Sequence, residues 1–402
     1  MSATTGRDIG SAFLHDALAR YVAIDSRNPA FTDGATDEAA LARAVRHDLE
    51  EAGLSAETVS AGPGRDSVVA RLPGTGGGAS LMLYAHLDTV GVEGMERPFE
   101  PEVRDGRLYG RGAYDMKAGL ASCVAVARAL AAAARFAGGR LAGDVVVVAA
   151  ADEETESAGM QAVLRETRTD AAIVTEPTDL EICLAHKGFV WLRVTTHGRA
   201  AHGSRFDEGV DANMRMGRFL ALLEGLEREL VERRPAHPLT GPPSLHAATL
   251  RGGTGPSTYA DRCEVRVERR TVPGERVEDV EGELAAILDH LAVADPTFRA
   301  SCETLLHREP FEARADSPIV ASLERAWTSV VGTAPRRSGA TYWMDSALIA
   351  AAGIDTVVFG PGGAGAHAVE EWADLDTLDR HAEIMLAATR SFCAQPPPNR
   401  SP

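Results

Sequence analysis

The chain has 402 residues, 45% of them hydrophobic and 25% charged, which is more than one ordinary core accommodates and suits two domains of a soluble globular protein. Its 58 acidic residues against 41 basic ones give a formal charge of -17, which opposes phosphate backbones and anionic membranes and leaves nucleic acid and membrane out of the expected partners. Part of that acidity is also of the kind that bound cations cancel. Five cysteines (Cys123, Cys183, Cys263, Cys302, Cys393) are scattered, odd in number and never in a C-x-x-C pair, which argues against a disulfide framework or a structural zinc knot and for a reducing compartment. MSATTGRDIGSAFLHDALARYV carries no apolar core of signal-peptide length, and the longest apolar stretch, near Ala118 to Ala127, is half a membrane span. A cytoplasmic protein is expected.

In chain order, residues 10–25 and 36–53 carry helical apolar spacing, and VVARLP and SLMLYAHL read as strands around the Gly-rich turn GTGGGAS. MKAGLASCVAVARALAAAAR predicts a small-residue helix packed closely on a sheet. DVVVVAAADEE and DAAIVTEP are the nearly continuous apolar runs of central strands buried on both faces. This alternation predicts a three-layer α/β domain with its functional residues at strand ends. From about Phe189 the order becomes strand (FVWLRVTTHG), helix (GVDANMRMGRFLALLEGLERELV), two strands (SLHAATLRGG, RCEVRVERRTVP), helix (VEDVEGELAAILDHLA) and strand (FRASCETLLHREPFE). That βαββαβ order is ferredoxin-like, and helix and strand alternation resumes after Ala313 with IDTVVFGPGG. The expected division is 1–187, an inserted ferredoxin-like module at 188–312, and 313–402, with PPPNRSP as a frayed tail and no repeat at solenoid periods.

Polar residues stop the apolar strands abruptly. His86-Leu87-Asp88 closes SLMLYAHLD; alternation puts residues 86 and 88 on one side, so that the carboxylate orients the imidazole and fixes its tautomer, although an isolated H-x-D has an equally plain structural reading. Asp115 lies in GRGAYDMKAGL, where a ligand role and an N-cap on the helix starting near Met116 are both open. Glu153 and Glu154 follow DVVVVAAAD and point in different directions, so that one ligates while its neighbour faces a reacting water; a solvated acidic loop, DEETES, is the alternative. Glu176 ends IVTEPT before the sheet-breaking Pro177, and His367 sits in the glycine-rich FGPGGAGAHAVEEW. Two histidines and three carboxylates at successive strand ends are the inventory of two zinc ions sharing a bridging carboxylate.

The ordered set AHLDTV, GRGAYDMKAG, DEE, TEPT, GRAAHGS, GG, ERRTVPGE and GPGGAGAH resembles the metallopeptidase family of acetylornithine deacetylase, succinyl-diaminopimelate desuccinylase, aminoacylase and bacterial glutamate carboxypeptidase, over nearly the whole chain. The resemblance implies a zinc-peptidase-like catalytic domain with an inserted dimerisation and lid domain, a homodimer, and two Zn2+ per subunit with Co2+ or Mn2+ as substitutes. It makes His86 and Glu176 ligands of one zinc, Glu154 and His367 ligands of the other, Asp115 the bridge, Glu153 the base, and Asp88 the residue that orients His86. The base takes a proton from a water acidified by two cations and returns it to the departing nitrogen. His202, in GRAAHGS, matches a histidine that reaches the partner subunit's active site and donates to the oxyanion; without the family it is a histidine just past a strand. Arg270 matches the arginine that holds the substrate carboxylate, a task for a planar bidentate donor. A cross-strand ion pair is its alternative, and Arg269 is able to exchange roles with it.

Two departures stand out. Where relatives carry Asn and Pro after the GG of the module, this chain reads GGTGPSTYADRC, with Ser257 and Ala260 at the aligned places. In ATYWMDSAL, Tyr342, Trp343 and Met344 fill a loop that is often small and glycine-rich, where they either line an acyl pocket and favour an apolar or aromatic acyl group or pack beneath the metal site. The expected substrate is a small N-acyl amino acid or related carboxylate-bearing amide. The rivals are a dipeptidase or carboxypeptidase with the same metals, a non-catalytic binding homologue, and a two-metal phosphoesterase.

Overall fold

In the computed structural model, which describes residues 9–31, 37–136 and 138–397, the helical spacing near the N-terminus forms α1 (Ser11–Val22) and α2 (Ala39–Ala52). Residues 1–8 of the leader reading, residue 36 of the second helical reading and most of PPPNRSP lie outside the described residues. Both helices bury a stripe spaced by three and four, Leu14, Ala17, Leu18 and Tyr21 in the first and Leu41, Ala42, Val45 and Leu49 in the second. Next come β1 (Ser55–Ser60), β2 (Asp66–Leu72), β3 (Leu81–His86) and the short pair β4 (Glu102–Arg104) and β5 (Arg107–Tyr109).

The small-residue helix α3 (Ala118–Ala134) starts two residues later than its sequence suggests, after a π-helical turn at Ala113–Lys117. Asp115 has non-helical backbone angles in that turn and caps nothing. With its leading turn, Ala113–Ala134 is long and apolar enough to cross a membrane, which corrects the half-span reading; 83% of its apolar window is buried inside the protein. The reason is packing. A Cβ at Gly119 would lie 2.3 Å from the Thr175 carbonyl oxygen, so only glycine lets α3 approach that strand end so closely.

After α3 come β6 (Val145–Ala150), α4 (Ala158–Glu166), β7 (Ala171–Val174) and β8 (Ile182–His186). The module elements follow as β9 (Gly188–His197), α5 (Ala212–Glu232), β10 (Ser244–Gly252), β11 (Arg262–Thr271), α6 (Val277–Ala294) and β12 (Arg299–Arg308). The chain closes with β13 (Phe311–Glu312), α7 (Pro318–Val331), β14 (Arg337–Ala340), α8 (Ser346–Ala351), β15 (Asp355–Val358), β16 (Gly363–Ala364), β17 (Trp372–Asp374) and α9 (Leu375–Cys393).

Two compact units result, one of Met1–Leu184, Ala313–Ser338 and Met344–Pro402, the other of Ala185–Glu312 and Gly339–Trp343. The short segment Gly339–Trp343 thus groups with the second unit, against the unbroken 313–402 segment expected. The first unit is a three-layer α/β sandwich whose sheet runs β1-β2-β6-β3-β7-β15-β8. Strands β6, β3, β7 and β15 are parallel neighbours, β2 and β8 flank them antiparallel, and β1 pairs antiparallel with β2. Strands β3 and β6 are buried at every residue, as a sheet covered on both faces requires. A second small sheet, β16-β17-β5-β4, has too little apolar periodicity to be predicted. The second unit is the antiparallel sheet β10-β11-β9-β12, one face of which packs on α5 and α6 through Val190, Leu192, Val265, Val267, Phe219 and Leu284.

Candidate metal centre

Three strand ends and two loops of the first unit meet at one point. His86, the last residue of β3, is 1% exposed, and its Nδ1 lies 3.0 Å from the Asp88 main-chain oxygen. A carbonyl only accepts, so Nδ1 carries a proton and Nε2 is the nitrogen left for a second proton or a cation. Nε2 faces carboxylates at 3.3 Å (Asp115 Oδ1), 3.6 Å (Glu176 Oε1) and 4.0 Å (Glu153 Oε2). Carboxylates gathered on one imidazole nitrogen are matched to a second proton there or, in its place, to a shared cation.

Asp115 stands between the two imidazoles, Oδ1 3.3 Å from His86 Nε2 and Oδ2 3.3 Å from His367 Nε2. His367 also lies 3.2 Å from Glu154 and adopts a left-handed backbone (φ 61°), unusual outside glycine and reached in the Gly365-containing loop after β16. His86, Glu153 and Glu176 form one group with ligand atoms within 4.8 Å of one another, and His86, Asp115 and Glu154 form a second. All six expected positions therefore converge. A close approach enforces one of them, since a Cβ at Gly360 would lie 2.0 Å from the Glu176 carbonyl oxygen.

Asp88 does more than its spacing suggests, its carboxylate standing 3.7 Å from His86 Nδ1. Its main-chain oxygen orients His86, while its carboxylate accepts the backbone N–H groups of Glu153 and Glu154, each at 3.0 Å, and Asn28 Nδ2 at 2.9 Å. Turning the adjacent glutamates is its geometric effect. Three further residues escaped sequence reasoning. Asn28 also donates to Asp152. Buried Glu371 accepts the N–H groups of Gly112, Tyr114 and Asp115 and the Arg111 guanidinium, fixing the backbone of the bridging aspartate. Asp345 accepts from the buried Tyr84 hydroxyl, its carboxyl pushed up to about 6, chiefly by burial. An acid one residue before Trp372 and an acid one residue after Met344 were the only local signals, and neither has periodic support.

Burial, then neighbouring carboxylates, push Glu153 and Glu176 well above the usual range, and Glu154 rises for the same reasons. For Asp115 burial acts upward, but contacts with His367 and His86 hold it below the ordinary value. Hydrogen bonds to Asp115 and Glu154 push His367 up to about 10. Burial lowers His86, yet Asp115 and the surrounding carboxylates outweigh it and raise the imidazole. Four crowded carboxylates against two imidazoles are an excess of negative charge that protons or cations must cancel. His86 Nε2 and the shared Asp115 fit a pair of divalent cations.

The residues expected in the second unit sit as follows. His202 is exposed, its Nδ1 accepting from the Ser204 N–H at 3.2 Å, which leaves the proton on Nε2 and makes that atom a donor. Ser257 borders the same loop by accepting from the Gly203 N–H, whereas buried Ala260 accepts from the Ala212 N–H at the start of α5. Arg269 is fully buried between Glu275 and Glu283, so it is not free to exchange with Arg270. Arg270 pairs with Glu268 two residues away on its own strand, not across the sheet. Of the aromatic loop, Trp343 packs edge-on against His186 and Phe189 and donates to Glu309 O, and Tyr342 is 45% exposed, whereas Met344 is buried in the first unit.

The sequence model of peptidase family M20/M25/M40 matches residues 82–391. Acetylornithine deacetylase of Myxococcus xanthus is 32% identical over 358 residues, covering 86% of this chain and 90% of that protein. Aminopeptidase PepT of Bacillus cereus superposes with a TM-score of 0.78 at 19% identity, over 96% of this chain and 99% of its own. The YXEP protein of Bacillus subtilis, described as a dinuclear metal binding peptidase, gives 0.73 at 16% identity over 94% and 97%.

Proposed function

The chain belongs to peptidase family M20/M25/M40 and is a metal-dependent amide hydrolase, and from that premise we propose that it deacylates an N-acyl amino acid or related carboxylate-bearing amide. The observation that carries the reading is Asp115, with one carboxylate oxygen toward each imidazole. His86 and Glu176 would hold one cation and Glu154 and His367 the other, with Asp115 shared between them; zinc would suit this nitrogen and oxygen donor set, with cobalt or manganese as substitutes. When bound, the pair acidifies a water and polarises the amide carbonyl.

Glu153 removes the proton from the attacking water and hands it to the departing nitrogen, so that the C–N bond breaks to a carboxylate and an amine. Asp88 fixes the Glu153 and Glu154 amides, and through them the direction of both side chains. His202 donates its Nε2 proton to the oxyanion in the active site of a second subunit, so the working enzyme is a homodimer. Arg270 grips the substrate carboxylate, and the second unit serves as lid and dimerisation domain. Five free cysteines suit a cytoplasmic enzyme. The likeness to acetylornithine deacetylase supports the deacylase direction over peptide cleavage.

The test is a panel of N-acetyl, N-succinyl and N-benzoyl amino acids and dipeptides, assayed with metal analysis of the purified protein. Release of free amino acid from an N-acyl substrate, with two metal ions per chain, is expected. Turnover of dipeptides alone overturns the deacylase reading.

A further inference from the structure

On β9 and β11 of the second unit, residues alternate between a helix-covered face and an open one. Val190, Leu192, Val265 and Val267 enter the core, which puts Phe189, Trp191, Glu268 and Arg270 on the open face. The register pairs Arg270 with Phe189 and Glu268 with Trp191 directly across the ladder. Every member of this square touches another. Arg270 Nε donates to Glu268 Oε1 at 2.7 Å, and Trp191 Nε1 donates to the other oxygen, Oε2, at 2.8 Å. The Arg270 guanidinium carbon lies 5.4 Å from the Phe189 ring centre, and the Phe189 and Trp191 rings are 5.1 Å apart.

The guanidinium is thus held along one edge and over one face, and among the described residues neither Nη1 nor Nη2 has a protein hydrogen-bond acceptor. Those two nitrogens form the fork that binds a carboxylate bidentately. Neighbouring Arg269 spends Nε, Nη1 and Nη2 on Glu275, Glu283 and a carbonyl, so its fork is closed. Glu268 would ordinarily compete for the Arg270 fork. It is kept on Nε because its second oxygen is occupied by the indole N–H.

We propose that Glu268 and Trp191 are positioning residues that hold Arg270 with its terminal nitrogens open, and that the selectivity of the enzyme for substrates bearing a free carboxylate depends on this indole–glutamate lock. The inference rests on the reading of Arg270 as the carboxylate holder. Loss of the lock lets Glu268 swing onto the fork, so the cost falls on substrate binding: KM rises while kcat stays within about twofold.

The experiment compares the best N-acyl amino acid of the panel with its C-terminal carboxamide, which keeps the scissile bond and loses the charge. The readout is the ratio of the two kcat/KM values. Trp191→Phe keeps the ring and removes only the N–H, at a side chain 41% exposed, so the fold has little to lose. It is expected to lower the ratio about threefold to tenfold through KM, and Glu268→Gln, which puts an NH2 where one of the two donors finds an oxygen, about tenfold or more. Carboxamide turnover within about twofold of wild type certifies that each variant is folded and metal-loaded. Arg270→Ala separates the two ideas. If it collapses the ratio while Trp191→Phe and Glu268→Gln leave it intact, the lock is refuted and the Arg270 reading stands; if Arg270→Ala leaves the ratio intact, both fall.

Discussion

At the strand ends of the first unit, the Asp115, Glu153, Glu154 and Glu176 side chains are 16%, 10%, 8% and 5% exposed and crowd around two imidazoles. On the open sheet face of the second unit, Arg193, Glu264, Glu268 and Arg270, two of each sign, are 30%, 26%, 16% and 30% exposed. The second set is balanced within itself, each acid beside an arginine on its own or the adjacent strand. The first set is not. Like charges withdrawn from water persist only when something external cancels them, so imbalance marks the place where a cation belongs and balance marks a surface that merely orients its charges.

The largest break in this contrast comes from Glu153→Ala. Removal of the base is expected to lower kcat by about 10²–10⁴-fold with both metal ions retained, checked by steady-state kinetics and metal analysis on one preparation. Metal loss with substantial residual turnover would exchange the roles of Glu153 and Glu154.

Stripping the metal with a chelator comes next. Loss of two cations present at about 100 times their dissociation constants removes about 2.7 kcal/mol of stability each, visible as a fall in the thermal midpoint. A pH dependence follows, and only for the metal-free protein. Glu153, Glu176, His86 and His367 all have folded pKa values raised above their unfolded ones. Their contribution is therefore fully present below the unfolded values and is lost as pH rises through the folded ones. Asp115 has the opposite sign, but its window lies below the ordinary carboxylate range, outside a pH 5–9 scan. The gap between metal-loaded and stripped midpoints should widen from pH 5 to pH 9; a constant gap would mean the cluster needs no cation to balance it.

The smallest effect sharpens the other side of the comparison. Glu264 is contacted by Arg193, Arg262 and Arg266 on the sheet face. Partly solvated pairs contribute little, so Glu264→Gln is expected to change unfolding free energy by less than about 1 kcal/mol and to leave the metal content unchanged, as measured by urea denaturation.

The sequence by itself determined which residue types end the strands and in what order the elements follow. Apolar runs such as VVVVAAA and AAIV stop at polar residues, and a buried strand stops there for a reason visible within a few positions: Glu153, Glu154 and Glu176 were legible from their own neighbourhoods. The βαββαβ order was legible for the same cause, since periodicity is local. Tertiary structure alone decided what links those ends. Asn28 reaches Asp88 across 60 residues, and Arg111 reaches Glu371 across 260, separations that leave no periodic trace. It also decided that Asp88 turns two glutamates with its carboxylate and His86 with its carbonyl, and that Arg269 is closed while Arg270 is open. Each of those outcomes depends on which acceptor lies within about 3 Å in space, and hydrogen-bond geometry is set by packing rather than by spacing along the chain.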